Sequence, residues 1–199
     1  MFASGEPREL LSGASSAILY PAFLDSYESQ ASFESVLAET DWEQRDVVVF
    51  DREVPQPRLV AWFGDPEGTY RYSGLTLQAH SFSATLLGIK KHVEVVAGWE
   101  LNSLLANLYR NGMDCVGWHA DDEPEFGIDP VIASLSLGAT RRFDLRNRET
   151  NETIKTSLSS GDLVVMSGAC QREWIHQAPK QLKVQEPRIN LTFRTVINK

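Results

Sequence analysis

From residue 101 onward the chain sustains no helical period. It breaks into eight short β-rich runs, and that pattern limits its fold more than any other feature. The runs are LNSLLANLYR, CVGWHADD, VIASLSLG, RRFDLR, TIKTSL, DLVVMSG, WIHQAPK and RINLTFRTVI. Turn signals separate them at Asn111-Gly112, Gly138, Asn147, Ser160-Gly161-Asp162 and Pro187. Strands of this length and spacing predict a two-sheet jelly roll or small barrel, with about 101–199 as its core. The full 199 residues suffice for one domain with a substantial core and are short for two, so 1–199 is read as a single domain.

The first hundred residues read differently. Residues 1–20 look like a loosely held start. Asp25 offers an N-cap with Glu28 three positions on, and Phe33, Val36 and Leu37 follow at helical spacing, which predicts a helix over 26–39. A second helix is expected from about Ser83 to Ala97, with Leu86, Leu87, Val93 and Val96 on its apolar side and Gly98 as its stop. VVVF (47–50), PRLVAWFGD (57–65) and TYRYSG (69–74) suggest a hairpin or lid in front of the core. The class is therefore α+β, with two helices on one outer face of the jelly roll.

Charge narrows the partners. The net charge of −8 argues against a polyanion, but its distribution is uneven. Residues 1–50 carry nine acids against two basic residues, whereas residues 141–199 carry eleven basic residues against six acids. A basic C-terminal third can present a local positive face. The longest apolar runs are far too short to span a bilayer, so no membrane partner is expected. Two cysteines, Cys115 and Cys170, make no disulfide framework. With no signal-like start, the expected compartment is the cytoplasm.

The chemistry concentrates in GWHADDEPEF, residues 117–126. Residues i and i+2 of a strand share a side, so His119 and Asp121 project together. Of the other histidines, His176, in a late strand beside Trp174, is the best-placed third donor. His92 falls on the second helix next to Lys90 and Lys91 and reads as solvent-facing. Two histidines and one carboxylate form the facial set that leaves positions open on non-haem Fe(II). A zinc hydrolase can use the same three ligands, and a His–Asp surface pair is the plainer meaning of the motif.

The strand RINLTFR separates these readings. Arg188, Asn190, Thr192 and Arg194 alternate with Ile189, Leu191 and Phe193, so one face is apolar and the other carries two guanidiniums. Pointed inward, two cations are costly without partners, and a small dicarboxylate would supply them. The residues lie roughly 20 Å apart along an ideal strand, so the side chains must converge. One guanidinium then holds the acid and the other braces the metal side. Asn107 and Tyr109 share a strand face and can add an amide and a phenol.

Together these motifs resemble the Fe(II)/2-oxoglutarate dioxygenases, and more narrowly the AlkB family of nucleic-acid dealkylases. The resemblance spans about 45–197, while 1–44 matches no recognised motif. It implies a double-stranded β-helix (jelly roll) with an N-terminal substrate-recognition lid, working as a monomer. The metal ligands it implies are His119, Asp121 and His176. The implied 2-oxoglutarate contacts are Asn107, Tyr109, Arg188, Asn190 and Arg194. Fe(II), 2-oxoglutarate and O2 would together oxidise an N-alkyl carbon on 1-methyladenine or 3-methylcytosine, releasing an aldehyde and succinate. The partner is alkylated DNA, with RNA as the alternative polymer. TYRYSG matches the base-contact segment, placing Tyr70, Arg71, Tyr72 and Ser73 at the substrate, with Tyr72 stacking and His119 as the opposite wall. Asp122 and Glu123 would read the cationic base, and Phe50 would be a base-flipping wedge. Arg141, Arg142, Arg146 and Arg148, with Arg71, are the expected phosphate contacts.

Overall fold

The computed structural model describes residues 5–49, 52–64, 69–72 and 75–197. All eight expected strands form: β8 (Ser103–Tyr109), β9 (Val116–His119), β10 (Ile132–Gly138), β11 (Arg141–Asn147), β12 (Thr153–Leu158), β13 (Leu163–Gly168), β14 (Trp174–Ala178) and β15 (Arg188–Arg194). Seven more precede them: β1 (Arg8–Leu11), β2 (Ser15–Tyr20), β3 (Asp46–Val49), β4 (Arg52–Pro55), β5 (Leu59–Phe63), β6 (Thr69–Tyr72) and β7 (Leu75–Gln78). The major sheet runs β1-β2-β13-β10-β15-β8-β5 and the minor sheet β12-β11-β14-β9, while β3–β4 and β6–β7 are separate two-stranded ribbons.

Two expectations for the first hundred residues need correction. Residues 8–20 of the expected loose start form strands: β2 pairs along β13 from Tyr20↔Leu163 to Ser15↔Gly168, and Ala17 and Leu19 are fully buried. LVAWF is not part of a lid, because β5 closes the other edge of the major sheet against β8. Hairpins stand only on either side of it in sequence.

Helices α1 (Ser26–Glu39) and α2 (Ala84–Ala97) lie where the caps predict. Asp25 and Glu28 make the reciprocal capping box, and Ser83 caps α2. Gly98 ends α2 at φ 62°, a left-handed conformation that favours glycine. The buried side of α2 is Leu86, Ile89 and Val93; Leu87 is exposed, and so is Leu37 on α1. A short helix, α3 (Cys170–Glu173), was not expected; it turns the chain into β14. Among the described residues no helix is long and apolar enough to cross a membrane.

Strand alternation then places the site. Leu104, Ala106 and Leu108 of β8, Ala133, Leu135 and Leu137 of β10, and Ile189, Leu191 and Phe193 of β15 form one apolar layer with Val36 of α1 and Leu86, Ile89 and Val93 of α2. Period-two geometry sends their neighbours to the opposite face, between the sheets. There Leu19, Ile132, Val164 and Met166 of the major sheet pack on Phe143, Leu145, Leu158 and Trp174 from the minor-sheet side. Beside this second apolar layer the polar rows of β8, β10 and β15 are shut inside the molecule.

Candidate active site

These inward rows meet β9 and β14 around one cavity, with an empty volume of about 510 Å³ including its mouth. His119, Asp121, His176, Asn107, Tyr109, Arg188, Asn190 and Arg194 all line it. The pairing of β9 with β14 puts His119 directly opposite His176, and their ring centroids are 4.3 Å apart. Asp121 lies beyond the end of β9 rather than within it, so strand alternation does not place it. Its Oδ2 nonetheless stands 3.8 Å from His176 Nε2.

The electrostatics suit ligation. Burial, then the neighbouring His119, hold His176 neutral by lowering its pKa to about 3. Burial also lowers His119, whose Nδ1 lies 2.8 Å from Gly117 O. With the proton on Nδ1 donated to that carbonyl, Nε2 keeps its lone pair. Burial pushes the Asp121 carboxyl up, but the positive charge around it, Arg194 foremost and Arg58 as well, outweighs it, so the acid stays ionised. Arg194 Nη2 donates to Asp121 Oδ1 at 2.6 Å with both side chains 3% exposed, the bracing role expected for one guanidinium of the strand.

Two neutral imidazoles and a carboxylate fit a divalent first-row metal in kind. Among the described residues no three His, Cys, Asp or Glu side chains are already closed into a cation cage. The 3.8 Å separation exceeds by under an ångström the edge of about 3 Å made by two donors near 2.1 Å from one ion at a right angle.

Arg188, at the other end of β15, is 3% exposed. Its Nη2 donates to Ser136 Oγ at 2.8 Å, and its guanidinium lies 5.3 Å from the centre of the Tyr109 ring. Burial lowers its pKa from the usual arginine value. Its Nε has no hydrogen-bond partner, and among the described residues no carboxylate pairs with it. A buried cation with no carboxylate beside it, and with the like-charged Arg141 acting on it across the Tyr109 ring, is the complement of an anionic ligand.

The cavity also contains residues that the sequence reading missed. Arg58, 5% exposed, donates from Nε to Asn107 Oδ1 at 2.7 Å. Its sequence context, one position before an apolar strand, gives no hint of burial. Ser134 and Ser136 accept from Asn190 and Arg188; their alternation within IASLSLG was the available signal.

The outer positions divide. Arg141 is not a phosphate contact. It is 1% exposed, and its guanidinium donates to Gln181 Oε1 and to the carbonyls of Asn111, Asp114 and Pro179, tying the β8–β9 and β14–β15 loops to β11. Arg142 is partly exposed but paired with Asp144, and Arg146 stacks over Trp118 at 3.9 Å. Arg148 binds Asp122 at 2.7 Å, both on the surface, while Glu123 is half-buried. Phe50 and Ser73 lie outside the described residues, as do the side chains of Tyr70, Arg71 and Tyr72, whose backbone forms β6. His92 is exposed on α2, as expected.

Known proteins resemble this chain in sequence and fold. The model of the 2OG-Fe(II) oxygenase superfamily matches residues 16–194. The chain is 44% identical over 194 residues to alpha-ketoglutarate-dependent dioxygenase alkB homolog 3 of Bos taurus, covering 92% of this chain and 67% of that protein. The Homo sapiens protein of the same name is 43% identical with the same coverage. DNA oxidative demethylase ALKBH2 of Homo sapiens is 36% identical over 159 residues, 76% of this chain and 61% of that one. The chain thus spans about two thirds of the length of these relatives. The solved structure of OsALKBH1 superimposes with a TM-score of 0.65 at 17% identity, covering 96% of this chain and all of that one, which speaks to the fold. This chain belongs to the AlkB-type dioxygenases of the 2OG-Fe(II) oxygenase superfamily, enzymes that work with Fe(II), 2-oxoglutarate and O2.

Proposed function

We propose that the enzyme removes alkyl groups from the ring nitrogens of damaged nucleobases, with 1-methyladenine and 3-methylcytosine in DNA as its substrates. The observation that carries this is that buried Asp121 and His176, with half-buried His119, line one cavity together with a buried guanidinium lacking a carboxylate. The relatives named as demethylases supply the substrate class.

On this reading His119, Asp121 and His176 hold the iron. Arg188 takes the far carboxylate of 2-oxoglutarate, oriented by Ser136 and Tyr109. Asn107 and Asn190 flank the keto acid, their amides fixed by Arg58 on one side and Ser134 on the other. Arg194 keeps Asp121 ionised and turns its second oxygen toward the imidazoles. When bound, Fe(II) with dioxygen and 2-oxoglutarate supplies the oxidation of the N-alkyl carbon, and the keto acid leaves as succinate and carbon dioxide. Leu105, Val116 and Phe143 add apolar side chains to the lining of the same cavity.

A base inside a duplex cannot reach this depth and must be extruded, which is least costly at a damaged pair. Tyr72, with Tyr70, Arg71 and Ser73 beside it, would stack and hold the flipped base, and Phe50 would fill the gap left behind. Glu123 suits the cationic ring of the two lesions better than Asp122, which is occupied by Arg148. Arg142, Arg146 and Arg148 remain as phosphate contacts.

The test is a panel of methylated oligonucleotides, single- and double-stranded, DNA and RNA, incubated with protein, Fe(II), ascorbate and 2-oxoglutarate. Loss of the methyl group matched by succinate is expected on DNA. Succinate formation with both lesions intact in every polymer would move the substrate elsewhere.

A further inference from the structure

Asp121 raises a mechanical question. It stands two residues past His119, the last residue of β9, so no strand pairing holds it. Three contacts define its position instead. Its backbone N–H donates to Gln171 Oε1 at 2.9 Å, its Oδ1 accepts from Arg194 at 2.6 Å, and only Oδ2 is left toward His176.

Gln171 is an unusual partner. It is 1% exposed, in the α3 turn that leads directly into the strand carrying His176. A carboxamide this deep is costly unless bonded at both ends. Its Nε2 reaches Met166 Sδ at 3.6 Å, a weak acceptor, so the stronger contact is the one to Asp121. Its backbone carbonyl accepts from Arg148 Nη2 at 3.3 Å, and the same nitrogen binds Asp122 at 2.7 Å. The α3 turn thus grips the Asp121–Asp122 segment twice, through the buried amide and through the surface guanidinium.

We propose that Gln171 is the positioning residue for Asp121. By holding that backbone nitrogen it fixes the gap between Asp121 Oδ2 and the two imidazoles, and so sets metal affinity without touching the ion. The inference rests on His119, Asp121 and His176 being the metal site. Partners that orient metal ligands typically change affinity by about 10–100-fold when removed.

The test uses Mn(II) as the probe, with 2-oxoglutarate present, followed by electron paramagnetic resonance at a temperature where each variant is folded by circular dichroism. Gln171→Leu removes the acceptor and should weaken Mn(II) binding about tenfold or more, whereas Gln171→Glu, which keeps an acceptor oxygen, should stay within about threefold. The bound-Mn(II) spectrum should also change in Gln171→Leu. Should that variant not fold, Gln171→Asn, whose shorter arm withdraws the acceptor, carries the same expectation. Wild-type Mn(II) affinity in a Gln171→Leu protein that merely melts lower would overturn the proposal, as would equal weakening in Gln171→Glu. Asp121→Ala separates the two levels. If it retains Mn(II), the metal-site reading fails; if it loses Mn(II) while Gln171→Leu does not, only the role of Gln171 fails.

Discussion

Arg188 and Arg194 share one strand face but differ in their company. Arg194 has a carboxylate 2.6 Å away, whereas Arg188 has a serine and a tyrosine ring. Hydrogen bonds to charged groups contribute about 1.5–3 kcal/mol each, so losing those from Arg188 to the acid should matter for binding more than for chemistry. Arg188→Met is expected to raise KM for 2-oxoglutarate by roughly 10–100-fold, with a smaller change in kcat at saturation; steady-state succinate assays read both. Asp144 sets an acid limit of another kind. Burial pushes its carboxyl up, but Arg142 and Gln177 outweigh that and hold its pKa below the usual aspartate value. Its folded pKa therefore lies below its unfolded one. The stability it contributes is full above about pH 4 and drains as pH falls through the lower folded value. Asp144→Asn should flatten the stability–pH curve below that point, as followed by urea denaturation across pH.

The elements explain why some of this was readable in advance. Both long helices were legible because their caps are local: Asp25 with Glu28, Ser83 and Gly98 each act within four residues. The polar row of β15 was legible because alternation is also local. What local pattern does not carry is which strands become neighbours. SSAILY alternates correctly for a strand, yet only the paired β13 makes it part of the major sheet. The same blindness hid Arg58, whose burial depends on β5 docking against β8, and it turned Arg141 into an apparent surface charge. An element-level prediction follows from β2. Deleting residues 1–20 strips Leu11, Ala17 and Leu19 from the core. At about 1.5–3 kcal/mol per large buried side chain, the loss should exceed about 3 kcal/mol in urea unfolding. A deletion variant as stable as the full chain would mean that β1 and β2 are dispensable.

Across the molecule, one division of labour explains the architecture. The major sheet spends one face on the two helices and turns the other inward, with polar rows on β8, β10 and β15. The minor sheet brings the two histidines across from one another on adjacent strands. Neither sheet alone holds a site; closing them together brings a carboxylate, two imidazoles and the Arg188 cation to one cavity. The central claim is that a metal and a keto acid share that cavity. The most direct measurement is an anaerobic titration of Fe(II)-loaded protein with 2-oxoglutarate, watching for the visible charge-transfer absorption that a keto acid chelated to Fe(II) produces. The band should rise to saturation in the wild type and be absent in His176→Ala. Failure of the band to appear in wild-type protein that binds both Fe(II) and 2-oxoglutarate, or its persistence in His176→Ala, would contradict the account.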